Sequence, residues 1–93
     1  MNDLSLEKLL KASANKKRIR LLSYLLKNGE SEIGRIAYAV KLPYDTAFRN
    51  LSILRTAGFL VSRTSNVKVL FKINPLATPQ VKAILSLVRG LSQ

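Results

Sequence analysis

The 93-residue sequence contains no cysteine and no histidine. Disulfides, thiolate chemistry and the usual zinc ligands are therefore excluded, and so is the most common general base of enzymes. Only five carboxylates are present, and apart from Glu30 and Glu32 they are scattered along the chain. The sequence therefore predicts a protein that is not an enzyme, without catalytic residues, a cofactor or a metal site.

Long apolar runs are also missing, so no transmembrane span is expected. The N-terminus shows no basic stretch followed by an apolar one, which argues against a signal peptide and for a cytoplasmic protein. The length allows a single domain over residues 1–93, and a hydrophobic fraction of 47% is sufficient for a folded core.

Negative charge is absent from the second half of the chain. Residues 46–93 contain seven lysines and arginines and no acid, and the whole chain has a net charge of +11. A second group of cations lies within residues 16–20. A surface that serves only solubility more often mixes both signs, so this distribution favours a polyanion, and nucleic acid in particular, as the partner.

Hydrophobic spacing and capping residues predict five helices and one hairpin. The helices begin near Asn2 or Asp3, Asn15, Ser31, Pro43 or Tyr44, and Thr78–Pro79. Glu30 and Glu32 are interpreted as favourable charges at the start of the third helix. Strands are expected at 59–64 and 67–73, joined by Ser65-Asn66. The predicted fold is mostly α with a small β-hairpin, in the order α-α-α-α-β-β-α.

The most informative stretch is 51–61, where a helix of apolar periodicity stops at Gly58 and a β-branched and aromatic strand follows. A helix, a glycine stop and a hairpin are typical of a winged helix-turn-helix. The helix at about 43–57 then enters the major groove of DNA, and the hairpin at about 59–73 is the wing.

Several segments resemble the winged-helix regulators of the ArsR, MarR and PadR type. Residues 15–22 are similar to the Asp-Pro-x-Arg-x-x-Ile-Leu opening of ArsR domains, 33–42 to their first helix-turn-helix element, 46–58 to the recognition helix and 69–74 to the second wing strand. The resemblance covers about two-thirds of the chain and implies DNA binding. The family's cysteine and histidine metal ligands are absent, so metal sensing is not expected. Pro43, Tyr44 and Asp45 replace its small polar residues and Phe48 its serine, so the target sequence does not carry over.

Candidate DNA contacts follow from the face that the recognition helix turns outward. The predicted set is Tyr44, Asp45, Thr46, Phe48, Arg49 and Ser52 on this helix, Arg63, Asn66 and Lys68 in the wing, and Lys16, Lys17 and Arg20 at the second helix. Arg49 has the geometry to contact guanine, but a phosphate contact or an ion pair with Asp45 is also open. For Asp45 three roles are open: it caps the helix, forms an ion pair with Arg49, or accepts a hydrogen bond from cytosine N4. Phe48 contacts a thymine methyl or joins the core.

The terminal helices, at about 3–12 and 79–90, contain more leucine than a small domain requires. Their stripes are Leu6, Leu9 and Leu10 at the start, with Leu4 beside them, and Val81, Ile84, Leu85 and Val88 at the end, with Leu87 and Leu91 beside them. The sequence predicts that these residues form a homodimer interface. The alternative is that both helices pack on their own domain.

The predicted function is a dimeric transcriptional regulator that binds a palindromic site in double-stranded DNA on the nucleoid. The first alternative is a centromere-binding or spreading protein of a plasmid or chromosome partition system, with partition proteins as partners, or a nucleoid-architectural protein. A more remote alternative is a protein-interaction winged helix that does not bind DNA.

Overall fold

The computed structural model describes residues 3–91. Its elements are α1 (Asp3–Ser13), α2 (Lys16–Asn28), β1 (Ser31–Glu32), α3 (Ile33–Val40), α4 (Tyr44–Thr56), β2 (Leu60–Ser65), β3 (Lys68–Ile73) and α5 (Pro79–Leu91). The five helices and the β2–β3 hairpin confirm the predicted fold class. The cap expected at Asn2 or Asp3 and the packing expected of Leu4 lie outside the described side chains. None of the helices in residues 3–91 is long and apolar enough to cross a membrane.

Local signals set both ends of α2 and the start of α5 as the sequence predicts, whereas α5 continues through Gly90 to Leu91. The Asn15 side-chain oxygen accepts hydrogen bonds from the backbone N–H groups of Lys17 and Arg18, at 3.0 and 3.2 Å. Gly29 ends α2 with a φ of 76°, a conformation that glycine adopts without steric penalty. The Thr78 hydroxyl accepts from the N–H of Val81 at 3.3 Å, one turn into α5.

The start of α3 differs from the prediction. Ser31 does not cap the helix, because Ser31 and Glu32 form the two-residue strand β1, which pairs antiparallel with β3. The Ser31 hydroxyl donates instead to the carbonyl of Gly29 at 3.0 Å, and Glu32 occupies the cap position without a side-chain cap bond. The sheet order is therefore β1-β3-β2. Two residues are too short to show strand alternation, so the sequence pattern could not reveal β1.

The turn of the wing lies one residue later than predicted. Ser65 is opposite Lys68 in the hairpin register, so the connecting residues are Asn66 and Val67 rather than Ser65 and Asn66. Both have positive φ, 50° and 61°. Two-residue hairpins favour this backbone because its twist matches that of the flanking strands.

Aliphatic side chains of all five helices form one core with the two phenylalanines at the base of the wing. Phe59 and Phe71 are fully buried. The α5 stripe predicted as a dimer interface belongs to this core: Val81, Ile84, Leu85 and Val88 are buried in the domain itself. That prediction is wrong because α5 packs against α1 and α2 and closes the core on that side.

The leucines of α1 divide between the core and the surface. Leu9 is buried and joins the core, so it too is not an interface residue. Leu6 and Leu10 remain 41% and 47% exposed. On α5 the exposed leucines are Leu87 and Leu91, which the sequence analysis places beside the predicted interface stripe.

Candidate nucleic-acid interface

The helix α4 presents one apolar face to the core and one mixed face to solvent. Its inward residues are those that the helical spacing predicts: Ala47, Leu51 and Leu54 are fully buried. On the outer face, Tyr44 is 54% exposed and Arg49 is also exposed. Pro43 precedes the helix at the cap position, so Tyr44 is the first helical residue.

Arg49 is an unpaired cation on this outer face. Across residues 3–91, no hydrogen bond or ion pair within 4.0 Å joins its guanidinium to another group. The ion pair that the sequence offered between Asp45 and Arg49 is therefore not formed. Asp45 lies in the first turn of α4, near the positive end of the helix dipole, and makes no cap bond there. Arg49 thus keeps its full set of donors for an external acceptor.

Phe48 is neither a core residue nor an isolated surface residue. Its side chain is 43% exposed and lines a groove of about 950 Å³ between α1 and α4. Ala12, Ile53 and Ala57 contribute apolar surface to the same groove, and Lys8 lies at its side. The ring therefore lies where the outer face of α4 meets an apolar groove.

Two short polar residues of α4 are less available than predicted. The Ser52 hydroxyl oxygen is shielded from solvent and has no hydrogen-bond partner among residues 3–91. This shielding argues against the predicted contact of Ser52 with DNA, because the oxygen is turned toward the protein. Thr46 is half-buried, and its backbone carbonyl accepts a hydrogen bond from Asn50 at 2.9 Å.

Asn50 is a functional candidate that the sequence analysis missed. It is buried, at 7% exposure, and its side-chain oxygen accepts a hydrogen bond from Arg18 Nε at 2.9 Å. Arg18 also donates to the carbonyls of Lys11 and Ala12, at 3.3 and 3.2 Å. One arginine thus ties the end of α1 and the middle of α4 to α2. The available signal was an asparagine within the inward stripe of α4, where burial demands a partner.

The cations at the start of α2 do not all have the same environment. Lys16 and Lys17 are exposed and have no ion pair in the described part of the chain. Arg20 donates from Nη2 to the carbonyl of Val40, the last residue of α3. Arg20 therefore holds α3 against α2, which leaves the two lysines as the more available cations of the predicted cluster.

Glu30 and Glu32 bind the wing, whereas the sequence analysis interpreted them as helix-end charges. Arg63 donates from Nε and Nη2 to the two carboxylate oxygens of Glu30, at 2.9 and 2.7 Å. These hydrogen bonds hold the pKa of the Glu30 carboxyl below its ordinary value and raise that of the Arg63 guanidinium. Lys68 lies 3.6 Å from a Glu32 carboxylate oxygen. The two predicted wing cations are therefore paired, whereas Asn66, at the turn, and Lys72, on β3, are exposed and have no ion pair within 4.0 Å among residues 3–91.

The end of α4 is joined to the wing by Arg55. Its Nη1 donates to the Ser62 hydroxyl at 2.7 Å, and its guanidinium lies 5.5 Å from the centre of the Phe71 ring. The wing thus has two attachments, one to α4 and one through β1. No group of three or more carboxylate, histidine or cysteine side chains that would hold a metal ion occurs in residues 3–91.

Comparisons with known proteins give structural matches only. No protein-family model matches the chain, and no curated protein sequence does. Reduced HlyU from Vibrio cholerae is 29% identical, with a TM-score of 0.80 over 97% of this chain and 90% of that protein. The transcriptional regulator HlyU from Vibrio vulnificus is 28% identical, with a TM-score of 0.75 over 92% of this chain and 85% of that protein.

A third match comes from Mycobacterium bovis. The homodimeric winged helix-turn-helix DNA-binding domain of Mb0332, described as a possible ArsR-family regulator, is 27% identical. Its TM-score is 0.77 over 95% of this chain and 78% of that protein. The chain therefore has a winged helix-turn-helix fold and resembles the regulators of the ArsR type, as its motifs indicate.

Proposed function

We propose that this protein is a dimeric transcriptional regulator that binds double-stranded DNA. In this proposal α4 enters the major groove, and the wing formed by β2 and β3 lies on the minor groove or the adjacent backbone. The observation that carries the proposal is Arg49, an exposed and unpaired arginine on the outer face of α4. An arginine at this position of a winged helix can donate two hydrogen bonds to the O6 and N7 atoms of guanine.

The charge distribution supports the same conclusion. From Thr46 onward the chain has seven lysines and arginines and no acid. Lys16 and Lys17 add two exposed cations at the start of α2. Cations of this kind contact phosphates, which position a protein on DNA without reading its sequence. The outer face of α4 is then left to discriminate between sequences, and Tyr44 and Phe48 flank Arg49 there.

The proposed dimer uses the exposed leucines of the terminal helices rather than the buried stripe of α5. Leu6 and Leu10 are spaced i, i+4 on α1, and Leu87 and Leu91 have the same spacing on α5. The α5 pair is 70% and 74% exposed, so it leaves apolar surface uncovered in the single domain. The similar domain of Mb0332 is described as homodimeric. A two-fold dimer is expected to bind a palindromic site with half-sites about one helical turn, or roughly 10 base pairs, apart.

Footprinting on the DNA that flanks the protein's own gene tests the proposal, across a series of concentrations and salt. We expect one protected palindrome whose length stays constant as concentration rises. Affinity should fall on the order of a thousandfold between low and moderate salt if six to ten phosphates are contacted. A salt dependence near zero, or no binding to any duplex at low salt, contradicts DNA binding. Protection that extends with concentration indicates the spreading or partition protein instead.

A further inference from the structure

Glu30 is paired with Arg63, the wing cation whose side chain is best suited to bind a phosphate. Arginine donates two parallel hydrogen bonds to carboxylates and to phosphates alike, because both present two oxygens at matching spacing. Glu30 takes up Nε and Nη2, the two donors that a phosphate in this geometry would use. The Glu30 carboxylate therefore binds Arg63 in the same way as a DNA phosphate would.

The pair is accessible to a competing anion. The side chain of Arg63 is 59% exposed and that of Glu30 is 28% exposed, so the pair lies on the surface. Water and salt screen an ion pair that is open to solvent, so a phosphate with further contacts can displace the carboxylate. Lys68 and Glu32 repeat the arrangement with a looser separation of 3.6 Å. Both glutamates flank or belong to β1, whose pairing with β3 keeps them beside the wing.

We propose that Glu30 competes with DNA phosphates for Arg63 and thereby controls whether Arg63 contacts the DNA backbone. This inference rests on the proposed function. Non-specific DNA offers phosphates but few other contacts, so it gains little by displacing Glu30. A specific site engages α4 as well, and the complex then has enough contacts to release Arg63 to the DNA backbone. Glu30 thus removes one phosphate contact from the complex with random DNA, whereas the complex with the target makes this contact and loses the Glu30–Arg63 pair.

The test compares Glu30→Gln with Glu7→Gln by measuring affinity for a random duplex and for the footprinted site. Glu7 is a matched control, because it also forms an exposed pair, with Lys11 at 3.7 Å, and its replacement changes the net charge equally. We expect Glu30→Gln to raise affinity for the random duplex about three- to tenfold beyond the control and to steepen the salt slope by about 0.9, the value for one more phosphate contact. The salt slope for the target should not change, because Arg63 already contacts a phosphate in that complex.

A double-mutant cycle assigns the effect to Arg63. In an Arg63→Gln background, Glu30→Gln should behave as the Glu7→Gln control does. If Glu30→Gln and Glu7→Gln have equal effects, or if the gain persists without Arg63, the competition model is wrong. Circular dichroism and sedimentation confirm that each variant keeps the wild-type fold and assembly. A wild type that binds no duplex at low salt contradicts the proposed function instead, so the two failures are distinguishable.

Discussion

Arg18 donates a hydrogen bond from Nε to the side-chain oxygen of Asn50 at 2.9 Å and thereby joins α2 to α4. Asn50 in turn donates to the carbonyl of Thr46, one turn earlier in α4. The orientation of Arg49, the neighbour of Asn50, therefore depends on a buried polar contact as well as on the apolar core. Rigid support of this kind keeps a binding side chain in place.

The first prediction concerns this support. Asn50→Ala should lower the free energy of unfolding by about 1–3 kcal/mol, because Arg18 Nε then lacks its partner in a partly buried place. Affinity for the target DNA should fall as well, since α4 loses a fixed attachment. Asn28→Ala is the control: Asn28 makes the same bond to the carbonyl four residues earlier, but it is exposed and binds no arginine. Urea unfolding of both variants measures the difference, and equal losses contradict the role of Arg18.

The second prediction separates the core face of α5 from its exposed face. Leu87→Lys combined with Leu91→Lys should give a folded monomer, because these side chains lie on the surface of the domain. Leu85→Asp should unfold the protein, because it places an unpaired charge in the core. Sedimentation equilibrium and circular dichroism distinguish the outcomes. A Leu87/Leu91 variant that sediments like a dimeric wild type shows that the interface lies elsewhere, and a monomeric wild type rejects the dimer altogether.

The third prediction tests the role of Arg49. Arg49→Ala should lower the ratio of specific to random DNA affinity. The corresponding difference in binding free energy should shrink by about 1–3 kcal/mol, the value of a bidentate contact with a base. Lys82→Ala removes the same charge from the exposed side of α5 and should leave this ratio unchanged. Competition binding at fixed salt gives both ratios. If Arg49→Ala weakens specific and random binding equally, Arg49 contacts phosphate and not a base.

The sequence predicted local features well and long-range ones poorly. The caps at Asn15 and Thr78 depend on residues two or three positions away, so their chemistry is visible in the sequence. The Glu30–Arg63 pair joins residues 33 positions apart, and nothing nearby indicates it. Periodicity showed that Leu85 is buried, but burial in the domain and burial between two protomers give the same pattern. The outward position predicted for Ser52 rests on helical spacing alone, and spacing does not show that its hydroxyl oxygen is shielded from solvent.

The last prediction concerns Val67 at the tip of the wing. Its φ of 61° lies in the left-handed region, where a β-branched residue clashes with its own backbone at a cost of roughly 1–2 kcal/mol. The side chain is 97% exposed, so its removal loses no packing. Asn-Gly is the pair that this two-residue turn prefers. Val67→Gly should therefore stabilise the protein by about 0.5–1 kcal/mol, after the larger entropy of glycine in the unfolded chain is deducted.

A thermal melt measures this gain as a rise of several degrees, since about 1 kcal/mol shifts the midpoint by roughly 4–8 °C in a domain of this size. Val67→Ala is the graded control: it removes the branch but keeps the Cβ, so its midpoint should lie between wild type and Val67→Gly. Thr64→Gly, at an exposed position of β2, should instead lower the midpoint, because glycine weakens a strand interior. If Val67→Gly melts at or below the wild-type temperature, the turn does not require positive φ at this residue.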